Sequence, residues 1–184
     1  MIIHTIKDKI MLAKNQTAPN IIATSIGGQT INLAALKGKR ILIKFHRFSG
    51  CPVAQNQIHE LIKRQNELSI SGIETIVLLH NTKEKIEPLF KEVPGLHIIA
   101  DKQKRFYRLY DSAFTWKALF SFASWGITFK SFFKGYYPRF NRFQGGIIAV
   151  PSDFLINEQG TIVNQQYGEL FGDTWSASEV LAMA

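Results

Sequence analysis

Cysteine is scarce in this sequence: among 184 residues there is one, Cys51. A lone cysteine excludes an intrachain disulfide framework and a cysteine-based zinc site, and it suits a reducing compartment, so a cytoplasmic address is expected. Long apolar runs are missing too. No stretch reaches the roughly 18 uncharged apolar residues of a spanning helix. Lys7, Asp8 and Lys9 interrupt the apolar N-terminus, which therefore lacks the continuous core of a secretory signal. Acidic residues are absent between Ser112 and Ser152, where Lys117, Lys130, Lys134, Arg139 and Arg142 supply five of the formal net charge of +8. Such a basic excess suits acidic partners: anionic lipid, nucleic acid or a negatively charged substrate.

What is present is enough apolar material, 46% of residues, for one well-buried core. Ile21 to Thr24, Gly27-Gly28 and Thr30 to Leu33 read as a small β-hairpin with a glycine turn. Arg40 to His46 is a β-branched, apolar run of strand length. From Pro52, apolar residues Ile58, Leu61, Ile62 and Leu68 recur at helical spacing until Gly72. Strands at 73–79 and 96–100 then alternate with short helices at 82–90 and 103–110. This alternation predicts a mainly parallel sheet covered on both faces. A second hairpin is expected at 153–163 around Asn157 to Gly160, followed by a closing helix from Trp175 with Ser176 as N-cap and Glu179 three residues on.

Cys51 falls where the strand at 40–46 turns into the Pro52 helix. A thiol reacts as thiolate, and a helix N-terminus offers unpaired N–H groups and the positive end of the helix dipole. Pro52 fits the first helical turn. Arg47 and His46 bring positive charge nearby, and the Ser49 hydroxyl is a candidate donor to the sulfur or to a bound oxygen. The competing reading is a buried, inert cysteine, the commoner fate of an unpaired one. His59 lies about two turns along the helix, away from a general-base position. His80 and His97 have no carboxylate or histidine at metal-ligand spacing, so neither a metal nor a cofactor is expected.

The order hairpin, strand, Cys-Pro, helix, and a proline before a late strand resembles the thioredoxin superfamily. More narrowly, His46-Arg47-Phe48-Ser49-Gly50-Cys51-Pro52-Val53, then Val150-Pro151 with Ser152 to Ile156, then Tyr167-Gly168 with Asp173 to Ser176, resemble peroxiredoxin-like proteins of bacteria. These belong to the alkyl hydroperoxide reductase and thiol-specific antioxidant family. The resemblance implies an α/β, thioredoxin-like fold over residues 1–184, with an N-terminal extension at 1–16 and a helical insertion at about 112–146. It also implies that Pro151 is a cis-proline facing the reactive sulfur; the alternative is a trans proline opening a strand. The chain departs from the family pattern in three places. Lys44 and Phe48 stand where the family carries a proline and a threonine, Pro151 where it carries an arginine, and Ala54 where relatives often have a second cysteine.

The insertion is aromatic as well as basic. Were Phe114 to Lys134 helical, Lys117, Ser121, Ser124, Thr128 and Ser131 would form one polar stripe, expected on the exposed side. The aromatic remainder would then be buried in the fold, in a homodimer partner or at a membrane interface. Basic and aromatic residues interleave at Tyr136, Tyr137, Arg139, Phe140, Arg142 and Phe143, yet no nucleic-acid motif accompanies them. The reading that results is a thiol-dependent redox protein, acting through Cys51 with Ser49, Arg47 and Pro151 on a peroxide or disulfide substrate and recycled by an external thiol. Its rival is a redox-silent binding module that uses the insertion as its contact surface.

Overall fold

The computed structural model describes residues 11–112, 121–139 and 149–183. The outer parts of the predicted insertion helix and of the basic-aromatic stretch, including Lys117 and Arg142, lie outside them. The strands are β1 (Ile22–Thr24), β2 (Thr30–Asn32), β3 (Arg40–Phe45), β4 (Ile73–Leu79), β5 (Leu96–Ala100), β6 (Ser152–Ile156) and β7 (Ile162–Tyr167). The helices are α1 (Pro52–Ile70), α2 (Lys83–Ile86), α3 (Arg105–Leu109), α4 (Phe122–Phe133) and α5 (Ala177–Met183). The fold is α/β, as expected.

β1 and β2 form the expected antiparallel hairpin, turning at Gly28 with φ of 88°. The main sheet runs β5-β4-β3-β6-β7. It is less parallel than the alternation implied: β3–β4 and β4–β5 are parallel, but β3–β6 and β6–β7 are antiparallel. The reason is connectivity. α1 crosses over between β3 and β4 and α2 between β4 and β5, which keeps those strands parallel, whereas Asn157 to Gly160 closes a tight hairpin between β6 and β7, and such a turn can only reverse the chain.

Side chains of β3 alternate between two cores. Ile41, Ile43 and Phe45 face Ile76, Leu78, Phe106, Tyr107, Tyr110 and Phe154. On the other face Leu42 meets Ile58, Leu61 and Leu68 of α1 together with Val77, Leu155 and Val180. α5 begins with the predicted capping box: Ser176 Oγ accepts from Glu179 N at 3.3 Å, and Ser176 N donates to Glu179 Oε2 at 2.7 Å. α2 is shorter than its expected span 82–90, ending at Ile86, because Pro88 cannot supply the next backbone donor.

The insertion helix overturns the stripe expectation. α4 buries Ser124 and Ser131 and leaves Phe122, Trp125, Phe129 and Phe133 exposed, between 49% and 95%. The inversion has a local cause. Ser131 Oγ donates to Ile127 O (3.1 Å), Ser124 Oγ accepts from Phe171 N (3.4 Å), and the half-buried Thr128 Oγ1 donates to Ser124 O (2.9 Å), so the inward hydroxyls have partners and are buried at little desolvation cost.

Candidate active site

Cys51 is the N-cap of α1, in extended conformation (φ −74°, ψ 125°), with Pro52 opening the helix behind it. Its carbonyl accepts the first helical bond from Gln55 N at 2.9 Å, and its own N–H closes a turn onto Phe48 O at 3.0 Å. The side chain makes no capping bond, so the sulfur is left to the site. It is 1% exposed and lies in a small cluster with Phe48, Val53 and Ala54. Ile127 of α4 packs against that cluster as a roof.

Arg47 Nη1 donates to Cys51 Sγ at 3.1 Å. The guanidinium that makes this bond is itself buried. Its guanidinium carbon lies 3.5 Å from the Phe171 ring centre and 5.7 Å from that of Phe48, so two aromatic faces hold the cation. Burial pulls Arg47 below its usual range, while Cys51 pushes it back up. A guanidinium so placed faces the point where negative charge forms on a thiolate or its oxidised product.

Ser49 is buried, but its hydroxyl does not serve the sulfur. It donates to Lys85 O of α2 at 3.1 Å, and Ser49 N donates to Asn81 Oδ1 at 2.6 Å. Ser49 therefore pins the loop that carries Arg47 and Cys51 onto the ends of β4 and α2. Pro151 precedes β6, and the pairing of Phe45 with Ser152 brings it level with His46, at the same sheet end as the Cys51 loop. Its expected cis bond is absent: no peptide bond among the described residues is cis. Pro151 instead opens β6 as extended chain, its carbonyl accepting from Gly168 N at 2.9 Å.

Several neighbours escaped the sequence reading. Tyr107, on α3, sets its hydroxyl against the carbonyls of His46 and Leu78, tying down the end of β3. Burial drives that phenol well above its usual pKa. Beneath α1, Lys44 Nζ donates to Asp153 Oδ2 (2.7 Å) and to Trp175 O (2.8 Å), both partners of the ion pair being fully enclosed. Asp153 also accepts from Thr174 Oγ1 at 2.6 Å. This replaces the family proline at position 44 with a charge that had a readable signal: a lysine within one apolar strand and an aspartate within another. Burial holds Lys44 below its usual pKa, with Asp153 opposing. His46, two residues on, is pushed down to about 3 by burial first and by Lys44 second.

The insertion reaches the site from above. Arg139 N donates to Gly50 O at 3.0 Å, Gln55 Nε2 donates to Tyr137 O at 3.1 Å, and Ile127 rests on Gly172. A Cβ at Gly172 would meet Ile127 Cδ1 at 2.7 Å, so the glycine is what lets α4 close down. Neither Ile127 nor Phe171 has a local motif; both enter the site only through tertiary packing.

The geometry invites comparison with known proteins. The backbone resembles a yeast mitochondrial 1-Cys peroxiredoxin, at 20% identity and a TM-score of 0.67 over 94% of this chain and 75% of that one. A 2-Cys peroxiredoxin of Plasmodium vivax in its reduced form follows at 14% identity and 0.65, over 92% of this chain and 79% of that one. A thiol:disulfide interchange protein from Chlorobium tepidum, given as DsbE, gives 15% and 0.60 over 94% and 93%. No curated protein sequence matches significantly. The AhpC/TSA family model matches residues 15–165, which include Cys51, Arg47 and the Pro151 turn. The chain is a member of the AhpC/TSA family of thiol-dependent oxidoreductases.

Proposed function

We propose that the protein is a one-cysteine peroxidase that works through Cys51. The observation that carries this reading is the Arg47 guanidinium 3.1 Å from the sulfur at the start of α1. The Cys51 thiolate attacks one peroxide oxygen, the O–O bond breaks, and the departing hydroxide or alkoxide takes up a proton as Cys51 becomes sulfenic acid. Arg47 stabilises the negative charge that passes from sulfur to the leaving oxygen. The chain has no second cysteine, so an external thiol condenses with the sulfenic acid, releasing water and leaving a mixed disulfide. A further thiol exchanges with that disulfide and returns the thiolate.

Ser49 acts on this chemistry through position, holding the loop to Asn81 and Lys85, and Pro151 borders the same sheet end. Ile127 packs over the cluster that holds Cys51, so the peroxide has to pass it to reach the sulfur. That roof also favours a second reading, a redox-silent binding module in which Cys51 is structural.

Brief treatment with stoichiometric peroxide, followed by mass measurement with and without glutathione, separates the two. Peroxidase chemistry gives a monomer one oxygen heavier, which glutathione converts to a mixed disulfide at Cys51. Unchanged mass after treatment leaves the binding module.

A further inference from the structure

We infer that the outer face of α4 is a docking surface for anionic phospholipid bilayers. At 100° per residue, Trp125, Phe129, Phe122 and Phe133 fall within an arc of about 80°. Their exposures are 49%, 55%, 95% and 92%. Among the described residues, every exposed phenylalanine and tryptophan is in this arc. Exposed Tyr137 follows just beyond the helix. A contiguous aromatic patch of this kind marks an interaction surface, since scattered single apolar residues are what an ordinary surface shows.

Charge selects the occupant. Lys130 lies beside the aromatic arc, Lys134 ends the helix and Arg139 follows, all three exposed. No acidic residue occurs from Ser112 to Ser152 to neutralise them. A two-fold contact between two copies would set one basic face without acidic residues of its own against another, with no opposite charge to pair them. A bilayer carrying phosphate anions meets both features at once: rings enter the headgroup boundary while lysine stems lie along it with their ammonium groups among phosphates. α4 has 12 residues, about 18 Å, which lies in the plane of an interface. No described helix is long and apolar enough to cross a membrane. The helix can dock without disturbing its other face, because Ser124, Ile127 and Ser131 are turned to the protein. The inference does not depend on peroxidase chemistry.

The test is co-sedimentation of the full chain with phosphatidylcholine vesicles, with and without about 30% phosphatidylglycerol, in low and high salt. Binding is expected to the anionic vesicles and to fall as salt rises. Replacing Lys130 and Lys134 by glutamine should weaken it about 25-fold, at about fivefold per lysine. The triple change Phe122→Ser, Phe129→Ser and Phe133→Ser should weaken it at least about tenfold while leaving circular dichroism unchanged, since these rings are exposed. Cys51→Ser should bind as the parent does, which separates this inference from the redox reading. Equal binding to neutral and anionic vesicles, or full binding by the triple variant, would overturn it. So would an absence of vesicle binding with a dimer in sedimentation velocity that the triple variant loses, which would assign the face to a second copy.

Discussion

Helices α1 and α4 carry the same kind of pattern, one apolar side and one polar side at helical spacing, yet they bury opposite sides. α1 puts Ile58, Leu61 and Leu68 into the core and leaves Glu60, Lys63, Arg64 and Glu67 at the surface. α4 puts Ser124 and Ser131 inside and Phe122, Phe129 and Phe133 outside. The difference lies in what the polar side is made of. Charged groups cannot be buried unpaired without a cost of several kcal/mol, so α1 has one possible orientation. Serine and threonine hydroxyls return to the helix's own carbonyls, so the polar side of α4 is cheap to bury and other contacts decide. Ile127 seated over Gly172 and Cys51 is that deciding contact.

The largest difference between the two regions is expected in their response to pH. The floor beneath α1 excludes a proton from His46, whose folded pKa of about 3 lies below the ordinary 6.5. Above pH 6.5 the group is neutral folded or unfolded and contributes no slope. Between 6.5 and about 3 the unfolded chain binds the proton and the folded chain does not, so stability falls as pH falls, by up to about 1.4 kcal/mol per pH unit. Urea unfolding of the parent and of His46→Gln across that window should diverge by this slope. Parallel pH profiles would mean that His46 is protonated in the fold.

Next in size, Leu68→Ala on the inner side of α1 should lower unfolding free energy by about 2–5 kcal/mol. Phe129→Ala on the outer side of α4 should stay within about 0.5 kcal/mol. Equal losses in chemical denaturation would show that the α4 aromatics are part of a core. Gly172→Ala should cost about 1–3 kcal/mol by overpacking against Ile127. It should also raise the rate of Cys51 modification by a thiol reagent as the roof is displaced. Smallest, Ser124→Ala removes only a weak acceptor for Phe171 N, at 3.4 Å, and thermal unfolding should register about 1 kcal/mol or less.

The sequence made much of the scaffold legible. The β1–β2 hairpin, β4, β5, α1 and the Ser176–Glu179 box were readable because local chemistry and burial agree there. Cys51 at a helix N-terminus was readable from Pro52 and the strand before it. Arg47 was readable as a nearby charge, although its aromatic clamp was not, because Phe171 lies 124 positions further along with no motif of its own. The stripe on α4 misled because periodicity reports that two sides differ and is silent on which one meets protein. The antiparallel β3–β6 pairing was not legible, because the link from β5 to β6 runs through α3 and α4 and no local signal sets the direction in which the chain re-enters the sheet.

In the proposed peroxidase, Arg47 activates Cys51 for attack on the peroxide. Stopped-flow oxidation of Cys51 by hydrogen peroxide, with Cys51→Ser as blank and Arg47→Gln as the variant, tests it most directly. The parent should react faster than an unperturbed free thiol at the same pH, and Arg47→Gln should be slower by about 10²-fold, the usual loss when one preorganised donor is removed. A parent rate equal to that of the free thiol, with no change in Arg47→Gln, would contradict the claim and leave Cys51 a structural residue.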